Sequence, residues 1–364
     1  MALSKHGAIG NVGTSFSPAE LVGRGVVNFA DLLRAASTAD HPYVQAAINS
    51  YLAVFLAGGK RARGGLTVCG YEMHGGSNRD MISDVAGAIE GIHAYILVLD
   101  DIADNAMTRR GVPAAHVAMQ TFLEQQDAEG NRARIATDMA TSAALFAQHR
   151  AQEMFMDLDV PEPNKAQACQ ALNRHLARTH AGQILDIAST TGLPMSTDNL
   201  ITVARSKTAY YSFLMPLEIG ALLAGTSPRL VRYLDEYSMH AGLAFQLQDD
   251  AMLFEEEAAI GKSPENDITE GKQTLLLAYA QAAATDAQRE ILNRALGNPE
   301  LTTQDFELCK EVMRATGALA RVQRQAAEEV KLAHALLDNA PVEWPAVYVA
   351  YLRDMASFTM NKYN

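Results

Sequence analysis

The chain has 364 residues, 48% hydrophobic and 20% charged, enough length for one large domain or two and enough apolar side chain for a substantial core. Its net charge of −12 and pI near 5.3 exclude general binding to nucleic acid or to an anionic membrane surface, since both need basic surface. Three widely spaced cysteines (Cys69, Cys169 and Cys309) with no CxxC suggest neither a zinc site nor a disulfide framework and point to a reducing cytoplasm.

Residues 1–17 lack an apolar signal core and read as a loosely ordered tail. Residues 18–364 read as a single all-α domain. Ala, Leu, Met, Gln and Glu dominate, and alternating β-branched runs are scarce. Helical spacing is plain in Asp80–Met107, Arg132–Leu158, Gln167–Ser189, Leu230–Phe254 and Asp305–Leu337. Breaks are expected at Gly58–Gly59, Gly75–Gly76, Gly111–Pro113, Pro161–Asn164, Gly192–Pro194, Gly225–Pro228 and Gly261–Asp267. The longest apolar stretches, AYILVL and the region of LMPLEIGALLAG, fall short of a spanning helix, so no stable membrane insertion is expected.

Two acidic clusters stand in apolar surroundings. IHAYILVLDDIADNAMTRRG carries Asp100, Asp101 and Asp104; FQLQDD ends in Asp249 and Asp250. Burying like charges together is costly unless cations neutralise them. Asp100 and Asp104 lie one helical turn apart on one face, a spacing that suits Mg²⁺ bridged to phosphate oxygens and water. The cations that could hold such phosphates are Lys60 and Arg63 in GGKRAR, Arg109 and Arg110 after the first acids, Lys207 in RSKTAYYSF, and Lys262 and Lys272 after the second. Each alone would read as a surface charge; beside glycine turns and acidic helices, phosphate binding is favoured. Gly58-Gly59-Lys60 does not have P-loop spacing. Glu90-x-x-His93 is half of a di-iron carboxylate pattern, and the chain holds no second half.

Six strings in this order resemble the trans-isoprenyl diphosphate synthase family: GGKRARGGLTV, AIEGIHAYILVLDDIADNAMTRRG, GQILD, SKTAYYSFLMPLEIGALLAG, FQLQDD and GKSPENDITEGKQTL, from about Ala57 to Leu277. The resemblance implies the isoprenoid synthase fold, a large helical bundle around an apolar cavity with the acidic motifs facing across its mouth. It also implies a homodimer and a reaction joining isopentenyl diphosphate to an allylic diphosphate. By the same resemblance Asp100, Asp104 and Asp249 bind Mg²⁺, three ions per site, assisted by Asp101 and Asp250, with Gln183 and Asp186 supporting them. Arg109, Lys207, Lys262 and Lys272 hold the allylic diphosphate. Lys60, Arg63, His93 and Arg110 hold isopentenyl diphosphate, and Thr208 and Gln246 face the reacting carbons.

Family likeness also ties product length to Tyr95 and Ile96, below the first acids: one aromatic, at the Tyr95 position, leans toward a twenty-carbon product, with fifteen carbons next. Two departures from the pattern are Leu253, in place of the last acid of the second motif, and a C-terminus with Lys362 but little other basic character. The rival readings are a class I terpene cyclase, which needs one diphosphate site, and a regulatory subunit, which would be expected to lose first-motif acids.

Overall fold

The computed structural model describes residues 16–36, 41–192, 195–252, 254 and 266–357. Residues 1–15, which make up most of the expected tail, Leu253, Lys262 and Lys362 lie outside the described residues. Phe16 is buried, its ring centroid 4.9 Å from that of Tyr348 and 5.0 Å from that of Tyr351.

In chain order the helices are α1 (Ala19–Ala36), α2 (Pro42–Leu56), α3 (Ala62–Met73), α4 (Arg79–Ala103), α5 (Ala115–Gln125), α6 (Arg132–Met156), α7 (Glu162–Ser189) and α8 (Thr197–Ala204). A π-helical segment, Arg205–Leu214, joins α8 to α9 (Met215–Leu223). Then come α10 (Pro228–Met252), α11 (Asn266–Thr269), α12 (Leu275–Ala283), α13 (Asp286–Ala295), α14 (Thr303–Ala315), α15 (Ala318–Asp338) and α16 (Ala346–Ser357). Several starts are written into the sequence as polar caps that satisfy an otherwise orphaned N–H. Asn78 accepts from the Met81 N–H at 3.1 Å and Asn131 from the Arg134 N–H at 3.1 Å. Thr285 and Gln288 close a reciprocal capping box on α13.

The chain groups into two compact units with interleaved segments. The first comprises the described residues up to Ala171, together with Pro216–Ser227 and Glu343–Tyr351. Within it α1, α3 and α6 pack on α4, and the Tyr51 hydroxyl donates to the Gly91 carbonyl at 2.6 Å. The second comprises Leu172–Met215, Pro228–Val342 and the described residues from Leu352. There α10 packs on α15 and on the π segment. Leu243, Leu247, Phe254, Leu276, Phe306 and Val322 form part of its buried core.

The structure corrects the sequence reading in three places. Asp305–Leu337 is two helices, because Gly317 takes a left-handed φ of 71° that ends α14 and starts α15. The helix expected to reach Met107 stops at Ala103, and Thr108–Arg109 then pairs with Val112–Pro113 as a minimal antiparallel hairpin. Finally, α4 does have the length and apolarity of a membrane span, with a mean hydropathy of 1.5 over 18 residues, yet 78% of that window is buried within the protein. Its apolar surface is covered by other helices of its own unit.

Candidate active site

In the first unit, α4 delivers the acidic motif. Asp100 and Asp101 lie in its last turn, and Asp104 caps its end, with its N–H bonded to the Asp100 carbonyl at 2.9 Å. Asp101 is fully buried and turned toward the hairpin. Its Oδ1 accepts from Arg109 Nε at 2.7 Å and also from Arg109 Nη2, while Nη2 stands 3.5 Å from Asp100 Oδ2. Burial alone would lower the Arg109 pKa. The hydrogen bond and charge of Asp101, followed by the charges of Asp100 and Asp104, outweigh burial and leave it raised. Asp101 is therefore engaged in holding Arg109, and Asp100 is the more exposed of the two neighbours.

The hairpin aims the next cation elsewhere. Arg110 and Gly111 both have positive φ, 54° and 79°, the signature of a tight primed turn that sends successive side chains apart. Arg110 donates through Nη1 to the Gly58 carbonyl. Its guanidinium lies flat against Gly59, where a Cβ would sit 2.7 Å from Cζ, so the glycine pair supplies space as well as a turn. Lys60, exposed, and Arg63, in the first turn of α3, follow.

Two residues of this cluster were missed in the sequence reading. Arg61 precedes α3 with φ 51°; it donates to the Phe55 carbonyl at 2.6 Å and packs 5.2 Å from the Phe55 ring centroid. Glu90, 2% exposed, accepts from the Gly64 N–H at 2.8 Å and lies 3.5 Å from Arg61 Nη1. The signal was present: an acid inside the apolar run AIEGIHAY needs a partner as much as Asp100 does. The cations crowd one another. Burial first, then Arg61, lowers the Arg110 pKa to about 10, against an opposing pull from Glu90. Burial, followed by Arg63, Arg110, Arg61 and Arg109, holds the His93 pKa well below its ordinary value, so the ring is neutral. Guanidiniums packed this closely, with one buried carboxylate among them, make a site that favours an entering polyanion.

In the second unit, Asp186 on α7 is the hub. Lys207 Nζ lies 2.6 Å and Lys272 Nζ 3.8 Å from its Oδ2, and Lys272 is itself buried. Gln183 is one turn earlier on α7. From the π segment the Thr208 hydroxyl donates to Gln246 Oε1, and Gln246 Nε2 donates to Asp250 Oδ1 at 2.7 Å. Asp249 is exposed beside it. The π segment is broad, and glycines make room for it: a Cβ on Gly182 would lie 2.7 Å from Ser206 Cβ, and one on Gly242 would lie 2.3 Å from Ala209 Cα. The sequence marked Lys207 and Thr208 within RSKTAYYSF but gave no sign of the wider helical pitch there.

Comparison with known proteins gives this geometry a family. Residues 44–313 match the polyprenyl synthetase family. The geranylgeranyl diphosphate synthase of Saccharolobus solfataricus is 30% identical over 262 residues, 72% of this chain and 74% of that protein. Among solved structures, a geranylgeranyl pyrophosphate synthase from Corynebacterium glutamicum, complexed with isoprenyl diphosphate and magnesium, superposes with TM-score 0.87 at 29% identity, covering 94% of this chain and 98% of the other. A polyprenyl synthase from Caulobacter crescentus, complexed with calcium and isoprenyl diphosphate, gives TM-score 0.76 at 28% identity, covering 94% and 96%. The architecture is thus the all-helical isoprenoid synthase fold. The chain belongs to the polyprenyl synthetase family of trans-isoprenyl diphosphate synthases, and is a trans-prenyltransferase.

Proposed function

We propose that the protein condenses isopentenyl diphosphate with an allylic diphosphate to a trans-prenyl diphosphate of fifteen to twenty carbons, with the twenty-carbon geranylgeranyl product favoured. The observation that carries this reading is the crowded cluster of Arg61, Arg63, Arg110 and His93, which, with Arg109, adjoins the first acids. A cyclase acting on one diphosphate has no use for it.

The acids fit Mg²⁺. All are hard oxygen donors, and among the described residues no three His, Cys, Asp or Glu side chains are grouped so as to hold a metal ion by themselves, so phosphate and water oxygens would have to complete the coordination. Asp100, Asp104, Asp249 and Asp250 would hold three ions per site, and bound Mg²⁺ spreads charge on the departing pyrophosphate. Arg109, oriented by Asp101, and Lys207 and Lys272, oriented by Asp186, would grip the allylic diphosphate, with Lys262 assisting. Lys60, Arg63, Arg110 and neutral His93 would hold isopentenyl diphosphate, leaving its double bond free to attack. The Thr208 and Gln246 oxygens would offer fixed dipoles beside the allylic cation, with water excluded by apolar walls. The lost proton would go to the pyrophosphate. Work in the cytoplasm as a homodimer completes the proposal; three cysteines widely spaced in the sequence agree with a reducing compartment.

The test is condensation by purified protein with Mg²⁺, labelled isopentenyl diphosphate and allylic primers of five to fifteen carbons. Elongated prenyl diphosphate is the expected product. No elongation from any primer overturns the reading, and a hydrocarbon formed from an allylic diphosphate alone would replace it with a cyclase.

A further inference from the structure

An α-helix leaves its first N–H groups without intrahelical partners, and a side chain just before the helix normally takes one of them. In α3 the residue in that place is Arg61, whose side chain makes no capping bond. The N–H of Gly64, three residues on, is taken instead by Glu90 Oε1 from α4 at 2.8 Å. The other carboxylate oxygen faces Arg61 Nη1 at 3.5 Å. One buried acid therefore replaces the missing cap and restrains the residue that begins the helix.

We infer that Glu90 is a positioning residue for the isopentenyl diphosphate subsite, acting through the first turn of α3. Arg63 lies in that turn and Lys60 and Arg61 just before it, so fixing the Gly64 N–H and Arg61 fixes the direction from which Lys60 and Arg63 meet a phosphate. His93 follows Glu90 by three residues on α4, so the two lie on neighbouring positions of one helix face. The carboxylate also occupies the positive end of α3, where a phosphate would otherwise bind. An entering diphosphate is thereby directed onto side chains, where register is set, and Glu90 itself touches no substrate. Arg61 joins it as a second positioning group, tied at its far end to the Phe55 carbonyl. The subsite is assembled before substrate arrives, which lowers the ordering cost of binding.

This inference rests on the proposed condensation, and the experiment separates the two. Steady-state KM for isopentenyl diphosphate and for the allylic diphosphate are measured independently on wild type, Glu90→Ala and Glu90→Gln, and isopentenyl diphosphate binding alone is followed by calorimetry. Glu90→Ala should raise KM for isopentenyl diphosphate about tenfold and leave the allylic KM within about twofold, the weight of one buried charge-assisted hydrogen bond. Glu90→Gln keeps an acceptor for the Gly64 N–H and loses the Arg61 partner, so it should recover to within about threefold of wild type. The inference is overturned if the isopentenyl diphosphate KM of Glu90→Ala stays within about twofold of wild type, or if both KM values rise together. Should Glu90→Ala fail to fold, Arg61→Gln decides the matter with Glu90→Gln as its control: Arg61→Gln must raise the isopentenyl diphosphate KM more than about twofold while the allylic KM holds and Glu90→Gln stays within about threefold of wild type, and an unchanged isopentenyl diphosphate KM or an equal effect on both substrates overturns the inference. Wild type that does not condense removes the proposed function, while calorimetry on wild type, Glu90→Ala and Arg61→Gln still judges the positioning role.

Discussion

Asp101 and Arg109 form a buried pair in which one carboxylate oxygen accepts two guanidinium bonds, from Nε at 2.7 Å and from Nη2, across the turn that ends α4. The two adjacent aspartates of the first motif are therefore not equivalent. Removing Asp101 strands a largely shielded guanidinium, whereas removing Asp100 strips a partly exposed oxygen donor. Asp101→Ala should lose on the order of 3 kcal/mol of unfolding free energy. Asp100→Ala should keep stability within about 1 kcal/mol while turnover falls about a hundredfold or more. Urea melts set beside turnover numbers check the separation.

Gly59 has φ 121° and leaves no room for a methyl group against Arg110. Gly59→Ala should displace that guanidinium and raise KM for isopentenyl diphosphate about tenfold, with a smaller effect on the allylic KM. Steady-state kinetics with each substrate varied in turn would show it, and equal changes in both would count against the placement of Arg110.

His74 reports pH through the chain's one tryptophan. Trp344 Nε1 donates to His74 Nε2 at 3.2 Å, and His74 Nδ1 meets the Gly70 carbonyl at 2.7 Å. An indole only donates and a carbonyl only accepts, so the ring is neutral with its proton on Nδ1. Burial lowers its pKa, partly opposed by the Gly70 carbonyl. Because the folded value lies below the unfolded one, the unfolded chain takes up more protons as pH drops through about 6.5. The stabilisation is complete above that pH and is lost toward the folded pKa; buried His93 contributes with the same sign. Trp344 emission should shift on acidification, and His74→Phe should remove that transition.

Ile96 lies one turn before Asp100 on α4 and is partly exposed, whereas Tyr95 is 6% exposed. Because Ile96 shares the Asp100 face, added bulk there should obstruct a growing chain. Ile96→Phe should shorten the main product by about one isoprene unit, since a phenyl ring fills about the space of one. Tyr95→Ala, which opens the other position tied to product length, should lengthen the main product and, because Tyr95 is buried, also destabilise by about 3 kcal/mol. Product chromatography by carbon number, with a thermal melt of each variant, tests both.

What the sequence made legible were features with local causes. Acids in an apolar run, a glycine pair before Lys60 and polar caps before α4 and α6 each have a physical reason visible within a few residues. Asp186 with Lys207 and Lys272 could be placed only by family likeness, because 21 and 86 residues separate the partners. The metal pattern that Glu90 half matches was set aside, but its capping role stayed hidden, since the helix end it caps lies 26 residues earlier. The break at Gly317 was hidden because the apolar spacing continues through it, and one glycine within a helical pattern is a weak signal. The hairpin bearing Arg109 and Arg110 was obscured by its brevity.

The π segment carries a consequence for any attempt to redesign this enzyme. Its i→i+5 bonding accommodates residues that an α-helix would place elsewhere around the axis, and Lys207 and Thr208 take their bearings from that looser winding. Shortening the segment by a single residue would let it tighten to the ordinary pitch, rotating the lysine away from Asp186 and the threonine away from Gln246 in one motion. Gly182 and Gly242 are what allow the swollen coil to nestle between its neighbours, so the orientation of Lys207 and Thr208 depends on two positions that have no side chain at all.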